Sequence, residues 1–341
     1  MAERAKKAPG IADYRVSLRK RKVTFLDEID RIIDWKPLER LLNKRLKRQP
    51  DAVGNPAYPA LLMFKVLLLQ RWYNLSDEAV EEGLIDRLSF VRFAGLSLDD
   101  EQVPDATTIC RFRNSLLEKN LYKRLLDKLN HQLERGGVLV REGAIVDASV
   151  VSSARRPTKT LDLLPQDREE SEDEPDVTVT YSDDADAAWL RKGNKAYYGY
   201  KMHVATDSRD GFVLGGHVTP ANRSDIKELP RLLEEVPLPR GGAVFADKGY
   251  SSRANREQLV RNGFCDGIMS KAHRGLPLSG VERRVNRLIS SVRAKVERAF
   301  GTFKRNYHLC RARYLGQDKV ELEFHLVAMA FNLKKCWAMV K

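Results

Sequence analysis

Cysteine is sparse: four residues in 341, Cys110, Cys265, Cys310 and Cys336, with no two at C-x-x-C spacing. That argues against a thiolate zinc site and fits a reducing cytosol, so a cytoplasmic protein is expected. The six histidines form no H-x-x-x-H pair, which removes the usual helical metal motif as well. The opening MAERAKKAPG has no apolar core of a secretory signal. The longest apolar run, YPALLMFKVLLL, is interrupted by Lys65 and too short to span a bilayer, so no membrane attachment is expected. Acid is in short supply, with 47 Asp and Glu against 60 Lys and Arg and a net charge of +13. Ten of the acids crowd into residues 166–186, where Arg168 is the single base, and the remaining residues carry a net +22. A basic body with one acidic segment points to a polyanionic partner, most simply nucleic acid.

What is present falls into two patterns. Residues 4–22 hold eight bases and one acid, Asp13, and read either as a flexible tail within a basic arm over 1–24 or as an arm that orders on DNA. From 25 to 140 the apolar spacing is helical, as in Leu38, Leu41, Leu42 and Leu46, which predicts an all-α N-terminal domain. Ser76–Asp77 and Pro104–Asp105 mark helix starts within it. The helix ATTICRFRNSLLEK puts Ile109, Phe112, Leu116 and Leu117 toward a core and Thr107, Arg111 and Ser115 elsewhere. It is either a DNA-contacting helix, with Arg111 and Arg113 as contacts, or a basic surface helix of a bundle.

After Gly136–Gly137 the pattern turns to strands. GAIVD (143–147) and AVFAD (243–247) are short apolar runs that each end in a carboxylate, as buried strands would. YKMHVAT and FVLGGHVT around SRDG predict a hairpin, and SDIKELPRLLEEV a helix capped by Ser224 and interrupted near Pro230. A further helix over 251–262, a short strand FCDGIMS, and helices near 281–305 and 319–335 complete the order. Residues 149–195 show little periodicity and are expected to be a long loop or acidic insertion. The predicted class is an α/β catalytic domain over 141–341, ribonuclease-H-like by analogy, with a mixed five-stranded sheet flanked by helices. In such a sheet the first and fourth strands are neighbours, which would bring Asp147, Asp247 and Glu297 to one cleft. Three carboxylates held together repel one another unless a cation neutralises them, and hard oxygen donors suit Mg²⁺. Two such ions can serve an in-line phosphodiester displacement.

In VRAKVERAFGTFKR (292–305), at about 100° per residue, Arg293, Glu297 and Lys304 form one narrow stripe beside an apolar stripe of Val292, Val296, Phe300 and Phe303. Taken alone, Arg293 and Glu297 read as an ordinary i,i+4 surface pair. The spacing Arg293, three residues, Glu297, six residues, Lys304 resembles the C-terminal signature of the DDE transposases of bacterial insertion sequences, and Ser290 stands where that signature has tyrosine. YGYKMHVATDSRDG, TPANRSD, FADKGY, NPAYPALLMFKVLLLQRWYNLSDE and VPDATTICRFR are similar to stretches of the same family, closest to the group-five insertion sequences, over about 55–332. The resemblance implies Asp147, Asp247 and Glu297 as catalytic ligands of two Mg²⁺ ions, with Mn²⁺ able to substitute. It implies phosphate contacts from Arg293 and Lys304, with Lys248, Lys201 and His203 as further candidates. It also implies DNA partners, the terminal inverted repeats and a target, and a homodimer or larger synaptic complex. A ribonuclease-H-like nuclease or resolvase and a catalytically silent DNA-binding regulator are the alternatives.

Overall fold

The structure is a computed structural model that describes residues 10, 11, 14, 22–46, 57–99, 102–163, 177–182 and 184–341. Most of the basic arm, and residues 164–176 of the acidic segment, lie outside the described residues.

From Phe25 on, the described residues first form seven helices: α1 (Phe25–Ile32), α2 (Lys36–Arg45), α3 (Ala60–Tyr73), α4 (Asp77–Asp86), α5 (Leu88–Ala94), α6 (Ala106–Glu118) and α7 (Leu121–Arg135). Their starts follow local chemistry. The Ser76 hydroxyl accepts from the Ala79 amide, and the Asp105 carboxylate from the Thr108 amide, so each satisfies an amide that its first turn leaves open. α3 is apolar around most of its circumference, and all but Leu61 and Tyr73 are buried, as befits a helix at the centre of a core.

The second half alternates. β1 (Gly143–Ser152), β2 (Thr158–Leu163), β3 (Val177–Ser182), β4 (Ala188–Lys192), β5 (Lys195–Asp207) and β6 (Val213–Pro220) precede α8 (Asp225–Glu235), β7 (Ala243–Ala246), a 3₁₀ turn (Lys248–Tyr250), α9 (Arg253–Arg261) and β8 (Cys265–Ile268). α10 (Gly280–Asn306) and α11 (Gln317–Val340) close the chain. The main sheet runs β4-β5-β1-β7-β8, with β6 also on β5. β1 lies antiparallel to β5 and parallel to β7, and β7 parallel to β8, so the sheet is mixed.

Three expectations need correction. The sheet has six strands rather than five, because β4 pairs with the first residues of β5 (Ala188↔Gly199 to Lys192↔Lys195) inside the segment expected to be loop. That segment also holds the β2–β3 pair, and Asp184 within it is buried, accepting from the Ser153 and Gly316 donors. Finally, α8 runs unbroken through Pro230. Proline removes the donor to the carbonyl four residues back, and that carbonyl, Ile226, accepts from the Asn255 side-chain amide instead.

One hydrophobic core spans both halves, with α11 at its centre. α11 bonds the helical region directly: Trp72 Nε1 donates to the Ala330 carbonyl, and Asn332 and Asn130 bond each other and β6. It also packs on the sheet at Gly216, where a Cβ would come within 2.9 Å of the Phe324 ring. The deepest polar link is Arg71 on α3 with Glu323 on α11, 2.8 Å apart and each almost fully buried. The other Glu323 oxygen accepts from the Arg313 amide.

Glu323→Ala would strand Arg71 as an uncompensated buried charge, and the expected cost is about 3–5 kcal/mol. Urea unfolding should show that loss in a single cooperative transition, because both halves share the core. Two separate transitions would contradict a common core.

Candidate active site

The site begins with register. β1 and β7 pair in parallel from Gly143↔Ala243 to Val146↔Ala246, so Asp147 and Asp247 are the next residue on each of two adjacent strands. Asp147 is not at the end of its strand, as expected, since β1 continues to Ser152 against β5. It is instead the first residue beyond the parallel ladder, where β7 ends and the chain enters the 3₁₀ turn. Asp247 caps the 3₁₀ turn, accepting the Gly249 amide at 2.6 Å through Oδ1.

α10 supplies the third part. Arg293 Nη2 donates to Asp147 Oδ2 at 2.8 Å, and the Ala148 amide donates to Oδ1. Burial pushes the Asp147 carboxyl above its usual range, against the pull of Arg293 and the Ala148 amide, with Asp247 adding to the rise. The simple reading of Arg293 and Glu297 as a surface pair does not hold: Arg293 turns inward, and Glu297 forms no ion pair among the described residues. Glu297 is exposed, one helical turn beyond Arg293. Among the described residues no three carboxylate, histidine or cysteine side chains converge as a metal cluster: Asp147 and Asp247 lie close enough for their charges to act on each other, and Glu297 is not grouped with them.

Tyr250 is a neighbour that the sequence pattern does not announce, although it lies in the FADKGY stretch. It is buried, its hydroxyl has no hydrogen-bond partner among the described residues, and burial beside Asp225, Asp147 and Asp247 pushes the phenol well up. Ser290, in the tyrosine position of the signature, is exposed.

The remaining candidates separate. Lys248 and Arg111 are exposed. Lys304 is half-buried, and burial together with Lys192 lowers its ammonium pKa. Arg113 is buried, pairs with Asp77 and lies over the Tyr314 ring, so it ties α6 to α4 rather than facing DNA. Its place four residues after Ile109, on the apolar side of α6, is the sequence signal for that. Lys201 and His203 are likewise inside. Lys201 donates to the Arg223 carbonyl and pairs with Asp225 at 2.9 Å; His203 bonds Thr219 at 3.0 Å and stacks on His217. The face opposite Tyr200 is not open, because α8 covers it and its Glu228 and Glu235 both bond His217.

With this geometry in place, comparison with known proteins gives a consistent result. A transposase DDE domain family matches residues 139–333, and a second transposase domain family, DUF772, matches 14–115. The chain belongs to the DDE transposases of insertion sequences. It is 39% identical over 227 residues to the transposase for insertion sequence element IS1106 of Neisseria meningitidis serogroup B, covering 66% of this chain and 76% of that one. A solved Mos1 transposase paired-end complex with left transposon end aligns over 96% of this chain and 91% of that one, at 12% identity; its TM-score of 0.22 carries no argument. Membership makes this chain a DNA-cleaving and strand-transfer enzyme of a family that uses divalent metal ions. No helix among the described residues is long and apolar enough to cross a membrane.

Burial holds His203 neutral, with a pKa lowered to about 3, and lowers buried His325 to about 4. Unfolding restores ordinary histidines near 6.5, so the unfolded chain binds more protons between these values. Stability should fall as pH drops from about 6.5 toward 4, by about 1.4 kcal/mol per pH unit for each group. Thermal melts at pH 7 and 5 test this, and His203→Gln should flatten the dependence.

Proposed function

We propose that this transposase binds the terminal inverted repeats of its insertion sequence, hydrolyses a phosphodiester at each end and joins the freed 3′-hydroxyl to target DNA. The observation that carries this reading is the placement of Asp147 and Asp247 side by side where parallel β1 and β7 part, with Arg293 on Asp147. The strand order β6-β5-β1-β7-β8, antiparallel on one side of β1 and parallel on the other, supports a ribonuclease-H-like catalytic region.

The donor set fits a divalent cation. Two carboxylates side by side are hard oxygen ligands whose repulsion a cation relieves, and Arg293 offsets that repulsion in part. Asp147, Asp247 and Glu297 would hold two Mg²⁺ ions, with Mn²⁺ able to substitute; Glu297 is exposed and free of ion pairs among the described residues, so its carboxylate is not committed elsewhere. The bound pair supplies Lewis acidity toward the attacking and leaving oxygens. Arg293 is the cation on the protein side that can stay near the phosphoryl oxygens, and Lys304 extends the same stripe about 10 Å along α10 from Glu297. In the first step water oxygen attacks phosphorus and the 3′-oxygen leaves as a hydroxyl. In the second, that hydroxyl attacks a target phosphodiester and one ester bond replaces another, so no outside energy source is needed. Lys248 and Arg111 are exposed phosphate contacts in this reading, and two ends processed together call for a homodimer or larger synaptic complex.

Asp147→Asn, Asp247→Asn and Glu297→Gln should each abolish cleavage and strand transfer on end oligonucleotides while end binding persists. Arg293→Ala should lower the rate by about 10²–10³-fold. Cleaved but unjoined products from the wild-type protein would favour a nuclease, and cleavage retained without Glu297 would remove it from the ligand set.

A further inference from the structure

α10 presents a second charged surface that the active site does not use. Arg283, Arg284, Arg287, Arg298 and Arg305 are all exposed along it. At about 100° per residue they fall within an arc of about 100°, opposite the side of Val296, Ala299 and Phe303 that packs into the core. The stripe of Arg293, Glu297 and Lys304 lies about 110° round the helix from the centre of that arc.

Three properties separate the arc from an ordinary solvated face. First, none of the five arginines forms an ion pair among the described residues, whereas exposed helices commonly interleave acids at i,i+4. The helix has only two acids: Glu282 is engaged in the N-terminal capping box with Ser279, and Glu297 lies outside the arc. Second, the arc is long. Arg283 to Arg305 spans about 33 Å at 1.5 Å per residue, close to one turn of duplex DNA at about 34 Å. The first turns of α10 bury no side chain before Ile289, and Asn286, which bonds the Ser270 backbone, lies outside the arc. Third, the residues between the arginines are Ser291, Ala294, Gly301 and Thr302, which are small and include no Asn or Gln. Such a surface lets a duplex approach closely and grip phosphates but has no side-chain amide to read adenine.

We propose that the arginine arc of α10 is a second duplex-binding surface, which holds target DNA by its phosphates without reading sequence. Target DNA is the second duplex in this reaction, and the arc lies about 110° round α10 from the Arg293–Lys304 stripe assigned to the end's phosphates. The inference rests on the DNA-joining reading above, but its test measures affinity rather than cleavage, so the two can fail separately.

The test compares full-length wild type with the triple variant Arg283→Gln/Arg284→Gln/Arg287→Gln and the double variant Arg298→Gln/Arg305→Gln. Anisotropy titrations use a labelled 30-bp duplex of random sequence, and the same duplex carrying the terminal repeat, across a salt series. A control of equal charge loss is Arg40→Gln/Lys44→Gln/Arg45→Gln on α2, whose side chains are also exposed. The α10 triple should weaken random-duplex binding at least about tenfold at low salt. It should also flatten the slope of log affinity against log salt by about 2 to 3, near 0.9 for each phosphate that an arginine no longer neutralises. The double should act in the same direction, and the control should change the slope by less than half as much. An unchanged slope in both α10 variants, an equal effect in the control, or a weakening confined to the duplex carrying the repeat would each overturn the assignment.

Discussion

The ion pair between Arg293 and Asp147 is the contact on which the candidate active site depends. It joins the long helix α10 to the central strand β1 across 146 residues of sequence, at a point where each side chain is more than four-fifths buried. A carboxylate so placed is disfavoured by lost solvation, and its raised pKa shows that Arg293 offsets the loss only in part. The remaining imbalance is a standing demand for positive charge beside Asp247. A site that binds a divalent cation needs that imbalance, since a fully neutralised pair would have little affinity left to give. Arg293 therefore sets the position of α10 and leaves the carboxylates short of charge.

Everything that fixes this contact is inherited from the sheet. Parallel pairing of β1 with β7 brings residues 147 and 247 level, and a slip of one residue would turn one aspartate to the opposite face. β5 holds β1 from the other side through nine paired positions, and both faces of β5 are covered. α11 then locks this sheet to α3 and α7 through Arg71–Glu323 and the Asn130–Asn332 bond. The helical region thus packs as part of the same core as the catalytic sheet, and a change at α3 can be felt at the site through α11.

The sequence made the main features legible wherever a periodic signal was also the structural signal. The helices of the first half and the β5–β6 hairpin follow from apolar spacing, and the adjacency of β1 and β7 agrees with the ribonuclease-H-like analogy. It failed where one pattern serves two environments. Alternation along YKMHVAT suggests one open face, but α8 covers that face, so Lys201 and His203 are interior residues with interior partners. Arg113 sits on the apolar side of α6, where a charge is hidden only if a partner such as Asp77 arrives from another helix, so the spacing marks its burial but not its partner. β4 is a five-residue strand, AWLRK, that buries none of its residues fully and takes its place by pairing with β5. Pro230 stays in α8 because Asn255, 25 residues away, takes the freed carbonyl.

The same argument explains why Glu297 and Arg293 are not a pair. On an isolated helix the i,i+4 spacing would favour one, worth a few tenths of a kcal/mol. A buried carboxylate such as Asp147 makes a stronger claim on the guanidinium, because in low dielectric an unmatched charge costs far more than a surface pair returns. Drawing Arg293 inward leaves Glu297 as an acid with no ion-pair partner among the described residues, on a helix whose other exposed charges are mostly basic. Its negative charge thus stays unneutralised by any ion pair among the described residues, while the arginine arc is centred about 90° round α10 from it.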